Sequence, residues 1–202
     1  MSGIGDYYIY IAIAGILSLV GAYVSNRLKS KFKKYGQVGL SNGLSGAEIA
    51  RRMLEHYDIR DVNIVQGQGF LTDHYNPANK TVSLSPQVYQ GRSVAAAAVA
   101  AHECGHAVQH ATAYSMLQVR SAIVPAVKMA SMAQQWLLIA AFMLINTMPS
   151  IMLITIIAFA ITTAFSLITL PVEFDASRRA LAWLDDSGTA SGREYEGAKD
   201  AL

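Results

Sequence analysis

One short stretch of the chain has residue types and spacing that could bind a metal ion and use it for hydrolysis. His102 and His106 lie four residues apart in the sequence HECGH, an HExxH pattern. Residues at this spacing share one face of a helix, about 6 Å apart. Two imidazoles placed in this way can bind one zinc ion, while Glu103 can take a proton from a water held by the metal. The pattern therefore predicts the ligands and the catalytic carboxylate of a zinc peptidase.

The residues around this motif predict the helix that it needs. Alanines dominate the preceding segment SVAAAAVAA, and alanine is the best helix former, so we expect a helix from about Ser93 to Tyr114. Cys104 is the only cysteine of the sequence, which excludes an intramolecular disulfide, and we expect it to be packed on the side of the helix away from the metal. His110 continues the spacing but lies about 12 Å along the axis from His102. We therefore expect it to face solvent or to support the site rather than to bind the same ion.

The composition of the 202-residue chain predicts a membrane protein. Hydrophobic residues make up 52% and charged residues 15% of the sequence, whereas roughly a quarter of the residues in a soluble domain are charged. Three apolar runs, residues 7–24, 129–148 and 150–170, are each long enough to cross the roughly 30 Å hydrocarbon core as a helix. The net charge of +2 gives no indication of a nucleic-acid partner. The expected partners are the lipid bilayer and a peptide or membrane-protein substrate; a membrane-protein partner or an oligomer stays open.

The basic residues predict the orientation of these spans. Five of them follow the first run within eight residues: Arg27, Lys29, Lys31, Lys33 and Lys34. Lysine and arginine collect on the cytoplasmic side, so the N-terminus is expected outside. A patch that binds nucleic acid or peptides is the alternative interpretation. The second and third runs are so close that they must form an antiparallel hairpin. Because two crossings separate His106 from Glu173, both fall on the cytoplasmic side, and Glu173 is available as a third metal ligand.

Between the first run and the motif, the pattern predicts a small α+β region. Residues 41–57 predict an amphipathic helix that begins with a capping box formed by Ser45 and Glu48. Residues 59–90 alternate apolar and polar side chains between turn signals, which predicts two or three short strands, most clearly Lys80–Ser85. An exposed strand beside the metal helix could hold an extended substrate by main-chain hydrogen bonds.

Several segments together resemble one known family. HECGHAVQ, the upstream LTDHYNP and TVSLSP, the helix SGAEIARRML and the downstream PVEFDASRRAL are similar to the bacterial neutral zinc metallopeptidases of the membrane, the YugP-like proteins, over nearly the whole chain. The resemblance implies a membrane-embedded gluzincin in the inner (plasma) membrane of a bacterium. It implies that Zn²⁺ is bound by His102, His106 and Glu173, and that Glu103 is the catalytic carboxylate.

The segment EFDAS is more distantly similar to the ExxAD segment of the M48 peptidases, in which an Asp follows the ligand Glu by four residues. That position is Ser177 here, and its hydroxyl can still accept a hydrogen bond from a ligand histidine. Asp175 is expected to point away from the metal and to pair with a basic residue or with a ligand histidine.

The expected fold class is a mainly α, multi-pass membrane protein. Three transmembrane helices accompany a small cytoplasmic, gluzincin-like α+β catalytic part with a short β-sheet beside the HExxH helix. Four parts are expected: an N-terminal transmembrane helix at 1–26, the cytoplasmic metallopeptidase part at 27–128, the transmembrane hairpin at 129–170, and the Glu-ligand helix with the C-terminal tail at 171–202.

The expected function is that of a zinc-dependent endopeptidase at the cytoplasmic surface of the membrane. Its transition state needs an oxyanion donor, for which the candidates are His74, Tyr75, Arg178 and Arg179. The alternative is a non-proteolytic membrane scaffold with a structural or vestigial zinc site, but a scaffold has no need of Glu103. A metal transporter is disfavoured because the apolar runs contain no ionisable residues.

Overall fold

The computed structural model describes the backbone of residues 3–144, 147–148 and 150–202, and the side chains of residues 15–16, 18–144, 147–148 and 150–202. These residues are mainly helical. The elements follow in the order α1 (Gly3–Gly36), α2 (Gly46–His56), β1 (Asn63–Gln66), β2 (His74–Asn76), β3 (Thr81–Leu84), α3 (Pro86–Tyr89), α4 (Val94–Ala111), α5 (Ser115–Leu144), α6 (Ser150–Asp186) and α7 (Arg193–Ala201).

Helix α4, which contains HECGH, is the centre of the packed part of the chain. Its alanines occupy so little volume that α2, α6 and α7 all pack directly against it. Cys104 is fully buried in this core, as predicted. The helix ends three residues earlier than predicted, at Ala111, because Ala113 adopts a left-handed backbone with φ 52° and the Tyr114 N–H turns back to the Gln109 carbonyl.

The predicted α+β region is confirmed. Helix α2 begins with the capping box, in which the Ser45 hydroxyl accepts from the Glu48 N–H and the Glu48 carboxylate accepts from the Ser45 N–H. The three strands form one mixed sheet in the order β1-β3-β2, with β1 parallel and β2 antiparallel to β3. Strand β2 therefore forms one edge of the sheet, and it packs beside α4.

Helices α5 and α6 form the predicted antiparallel hairpin. The Thr155 hydroxyl donates to the Leu137 carbonyl at 3.2 Å, and the Thr162 hydroxyl donates to the Gln134 side chain at 3.4 Å. The most apolar 18-residue stretch of α5 has a mean hydropathy of 1.3 and is 6% buried, and that of α6 has a mean hydropathy of 2.5 and is 11% buried. Both helices are thus long and apolar enough to cross a membrane, and they expose the apolar side chains that the core helix of a soluble protein buries.

The expected three transmembrane helices are corrected to two candidate membrane helices in the described part of the chain. The first predicted span, residues 7–24, lies on α1, but half of its side chains are outside the described residues. Helix α6 runs unbroken through Pro171 to Asp186. A proline removes one helical hydrogen bond, and the packing of Val172, which is fully buried, holds the helix together at this point. The apolar run and Glu173 therefore belong to one rigid element.

Helix α7 packs against both α1 and α4. The Asp200 carboxylate accepts hydrogen bonds from Lys31 Nζ at 2.7 Å and from the Tyr35 hydroxyl at 2.8 Å. These two hydrogen bonds hold the pKa of Asp200 below its usual range. One of the basic residues after the first apolar run therefore also joins α7 to α1.

Candidate metal centre

The structure brings His102 and His106 of α4 together with Glu173 of α6. The Nε2 atoms of His102 and His106 lie 3.2 Å and 3.4 Å from the same Glu173 oxygen, Oε2. One possible ligand atom from each of the three residues lies within 4.8 Å of the others. The two imidazole rings meet edge to face, with their centroids 4.9 Å apart. Three nitrogen and oxygen donors thus converge on one point between the two helices.

This donor set fits zinc. Ligand atoms that lie 2.0–2.1 Å from a tetrahedral zinc are roughly 3.3 Å apart from one another, which matches the 3.2 Å and 3.4 Å separations. The electrostatic environment also favours a cation. Burial alone would lower the pKa of His106, but the hydrogen bond to Glu173 and the nearby Glu103 charge raise it. Groups that attract a proton to this point attract a metal cation as well.

Hydrogen bonds at the other ring nitrogen orient both histidines. His102 Nδ1 lies 3.0 Å from the Ser177 hydroxyl, and His106 Nδ1 lies 3.0 Å from Gln109 Oε1. The amide oxygen can only accept, so Nδ1 of His106 carries the proton and its Nε2 is free for a metal. Partners of this kind fix the tautomer and the ring orientation of metal-binding histidines.

The buried side chain of Gln109 also connects α4 to α6 by hydrogen bonds. The Gln109 side chain is fully buried, and its Nε2 donates to the Val172 carbonyl at 2.8 Å and to Asp175 Oδ2 at 2.9 Å. Asp175 also accepts from Arg179 Nε at 2.6 Å, so it pairs with a basic residue, one of the two partners expected of it. Burial would raise the pKa of Asp175, but the hydrogen bonds from Arg179 and Gln109 lower it. The sequence signal that could have found Gln109 is its position three residues after His106, on the same helix face.

Glu103 is 8% exposed and lies beside the ligand cluster on α4. Burial raises the pKa of Glu103, and the opposing charges of His102 and His106 reduce this effect. A carboxylate with a raised pKa is a better proton acceptor at neutral pH than an ordinary glutamate in water. The environment of Glu103 therefore suits a general base.

Gly105 explains how α6 approaches the motif so closely. A Cβ atom at this position would lie 2.6 Å from the Ala176 carbonyl oxygen and 3.1 Å from its Cα. Only glycine therefore permits this crossing of α4 and α6 without a shift of the backbone. Since Ala176 follows Glu173 by almost one helical turn, the close crossing sets the distance between the carboxylate and the two imidazoles.

The candidate oxyanion donors occupy different positions. His74 is exposed and its Nδ1 is 2.8 Å from the Thr72 carbonyl. Arg178 is exposed, and Arg179 is bound to Asp175. Tyr75 projects from β2 towards α4, where its hydroxyl lies 2.7 Å from His110 Nδ1, and burial raises the pKa of Tyr75 to about 12. Of these candidates, Tyr75 lines a groove together with His106.

Arg120 of α5 reaches the site without having been expected there. Its Nη2 lies 3.6 Å from Glu173 Oε1, and its Nε is buried without a hydrogen-bond partner among the described residues. No spacing in the sequence relates Arg120 to the motif, because the contact depends on how α5 packs across the end of α4.

Comparison with known proteins identifies the family. Residues 8–202 match the family model described as "Putative neutral zinc metallopeptidase". The chain is similar to the "Putative membrane protease YugP" of Bacillus subtilis (strain 168), with 41% identity over 196 residues that cover 96% of this chain and 85% of the relative. No solved structure matches the chain at a significant level. The resemblance found in the sequence is thereby confirmed, and the chain belongs to the neutral zinc metallopeptidase family.

Proposed function

We propose that this protein is a zinc-dependent endopeptidase that hydrolyses peptide bonds at the cytoplasmic surface of the membrane. Zn²⁺ is held by His102, His106 and Glu173, and Glu103 is the catalytic carboxylate. The observation that carries the proposal is that the Nε2 atoms of His102 and His106 lie 3.2 Å and 3.4 Å from one Glu173 oxygen, beside the buried Glu103. The match to a family of zinc metallopeptidases supports the same conclusion.

The residues around the centre each have a defined task in this proposal. Zinc, when bound, supplies a Lewis acid that lowers the pKa of water and polarises a carbonyl. Glu103 accepts the proton of the attacking water and passes it to the leaving amine. Ser177 and Gln109 keep the two imidazoles oriented. Tyr75, which lines a groove together with His106, is the best placed of the expected oxyanion donors.

The course of α6 supports the proposed position at the membrane surface. Glu173 lies three residues beyond the apolar run 150–170 on the same unbroken helix, so a hairpin that crosses the bilayer leaves the metal centre at its surface. The basic residues that follow the first apolar run favour the cytoplasmic side for this surface. Membrane proteins and their juxtamembrane segments are therefore the substrates within easiest reach.

Two substitutions test the proposal in the full-length protein in detergent or nanodiscs. Glu103→Gln keeps the size and hydrogen-bonding capacity of the side chain but cannot accept a proton, so we expect full zinc content and no cleavage of casein or peptides. Glu173→Gln removes a ligand charge, so we expect a strong loss of zinc with the fold retained. Zinc is measured by inductively coupled plasma mass spectrometry. Cleavage by Glu103→Gln at the parent rate would refute the catalytic assignment, and full zinc in Glu173→Gln would refute the ligand assignment.

A further inference from the structure

A groove of about 590 Å³ leads away from the metal centre. It begins at His106, passes between the edge strand β2 and the end of α4, and continues along α5 as far as Lys128. Lys128 is the last residue before the apolar run 129–148. The groove therefore joins the ligand cluster to the beginning of the hairpin.

The charge of the groove is one-sided. Arg120 and Lys128 contribute cations, and its lining, as far as the structure describes it, contains no Asp or Glu. The Arg120 guanidinium has unused hydrogen-bonding capacity, because its Nε is buried without a partner in the described part of the chain. The Arg120 Nη2 atom is 3.6 Å from Glu173 Oε1, which is longer than a hydrogen bond, so no acceptor among the described residues saturates the guanidinium. Arginine binds a carboxylate through two parallel hydrogen bonds, which suits it to this acceptor better than to a neutral one.

We propose that the groove selects peptide substrates with an acidic side chain next to the scissile bond, and that Arg120 is the residue that recognises it. This inference rests on the proposed peptidase function. Arg120 is placed for this role because its Nη2 lies 3.6 Å from Glu173 Oε1, so a group bound by Arg120 is adjacent to the metal centre.

Lys128 extends the same selection along the substrate. It follows Arg120 by eight residues on α5, which corresponds to about 12 Å along the helix axis. An extended peptide covers that distance in roughly three or four residues. A second acidic residue at this separation from the first therefore improves binding further, and it lies at the end of the groove that is nearer to the hairpin.

The test measures peptide binding separately from cleavage. In a neutral host decapeptide carrying a fluorophore, one Glu, Gln or Lys is scanned through every position, and binding to zinc-loaded Glu103→Gln protein is followed by fluorescence anisotropy. At the best position, we expect the Glu peptide to bind about tenfold more tightly than the Gln peptide, as for a hydrogen-bonded charge pair, and the Lys peptide to bind more weakly than either.

Variants of the groove decide which residues are responsible. Arg120→Gln in the same background removes the preference for Glu over Gln. Because Arg120 also contacts a ligand, zinc content is measured for this variant. Lys128→Glu, which touches no ligand, transfers the preference at the outer position from Glu to Lys. Lys199→Glu on α7 changes the net charge equally but lies outside the groove, and it leaves all preferences unchanged.

The outcomes separate this inference from the proposed function. Equal binding of the Glu and Gln peptides at every position, or no peptide binding at all, overturns the inference. A preference for Glu that survives in Arg120→Gln overturns the role of that residue. If the parent protein cleaves none of the peptides although Glu103→Gln prefers the acidic ones, the proposed function fails while the selection by charge stands.

Discussion

Replacement of Gly105 by alanine tests whether the close crossing of α4 and α6 builds the metal centre. In an open helix this substitution stabilises the protein by up to about 1 kcal/mol. Here the new Cβ would lie 2.6 Å from the Ala176 carbonyl oxygen, 0.8 Å short of the 3.4 Å at which ordinary van der Waals contact begins. The obstacle is backbone, which cannot rotate away, so α6 must move. Overpacking of this kind costs about 1–3 kcal/mol, which outweighs the helical gain.

The movement of α6 in Gly105→Ala should also displace the Glu173 carboxylate from the two imidazoles. Metal–ligand distances tolerate deviations of only about 0.2 Å, and Glu173 lies less than one turn from Ala176 on the same helix. We therefore expect Gly105→Ala to lower zinc affinity about tenfold or more, comparable to the loss of a partner that orients a ligand. We also expect a lower midpoint of thermal unfolding in both the zinc-loaded and the chelated protein.

The assay for Gly105→Ala is zinc competition against a fluorescent chelator, combined with circular dichroism to establish native helix content. Gly21→Ala is the matched control, because it makes the same change within helix α1, where a Cβ would meet nothing within 4 Å. The control should bind zinc like the parent protein. If Gly105→Ala also matches the parent in zinc affinity and in unfolding midpoint, the crossing does not position Glu173 and the reasoning is refuted.

Three further predictions concern the supporting contacts. Ser177→Ala removes the hydrogen-bond partner of His102 Nδ1. It should lower zinc affinity, measured by equilibrium dialysis, about 10- to 100-fold without a change in helix content. Unchanged zinc affinity would contradict this prediction. Gln109→Ala leaves the His106 Nδ1–H without its buried acceptor. In protein from which zinc has been removed by a chelator, the free energy of unfolding measured with urea should fall by about 1–3 kcal/mol. An unchanged unfolding midpoint would exclude this role of Gln109. Asp200 has a lowered pKa, so its contribution to stability is present above the ordinary carboxyl pKa and is lost as the pH falls through the lowered value. Hydrogen exchange of α7 should therefore accelerate at acidic pH in the parent protein, whereas Asp200→Asn should exchange quickly at neutral pH as well; a parent-like profile for Asp200→Asn would contradict the role of this ion pair.

Local sequence patterns predicted much of the fold because the forces behind them are local. The capping box at Ser45 and Glu48 satisfies backbone groups within one helical turn, and alternating side chains in the 59–90 segment define strands by their own geometry. The same holds for the apolar hairpin, whose length and short connection leave one arrangement. Counting crossings also predicted that Glu173 lies on the side of the motif, and the structure places its carboxylate beside His102 and His106.

The remaining features depend on how the helices cross, which local patterns do not contain. Gly105 resembles any helical glycine until the Ala176 carbonyl is placed against it. Arg120 stands on a separate helix and meets Glu173 only through the packing of α5. A proline inside a helix removes one backbone hydrogen bond, yet α6 continues through Pro171, where Val172 is buried and its carbonyl accepts a hydrogen bond from Gln109. Each of these features depends on a contact between residues that are far apart in the sequence.

The residues of the candidate metal centre come from two helices, so contacts between these helices must hold it together. Helix α4 provides two imidazoles and Glu103, but the proposed third ligand, Glu173, comes from α6, the helix that carries the most apolar run of the described residues. Contacts on both sides of Glu173 tie α6 to α4: Gln109 bonds to the Val172 carbonyl and to Asp175, and Gly105 seats the backbone one turn later. A segment that ended before α5 would contain the HECGH sequence but would lack Glu173 and the core residues that α6 and α7 pack against α4. The proposed zinc site therefore depends on the packed hairpin as much as on the motif.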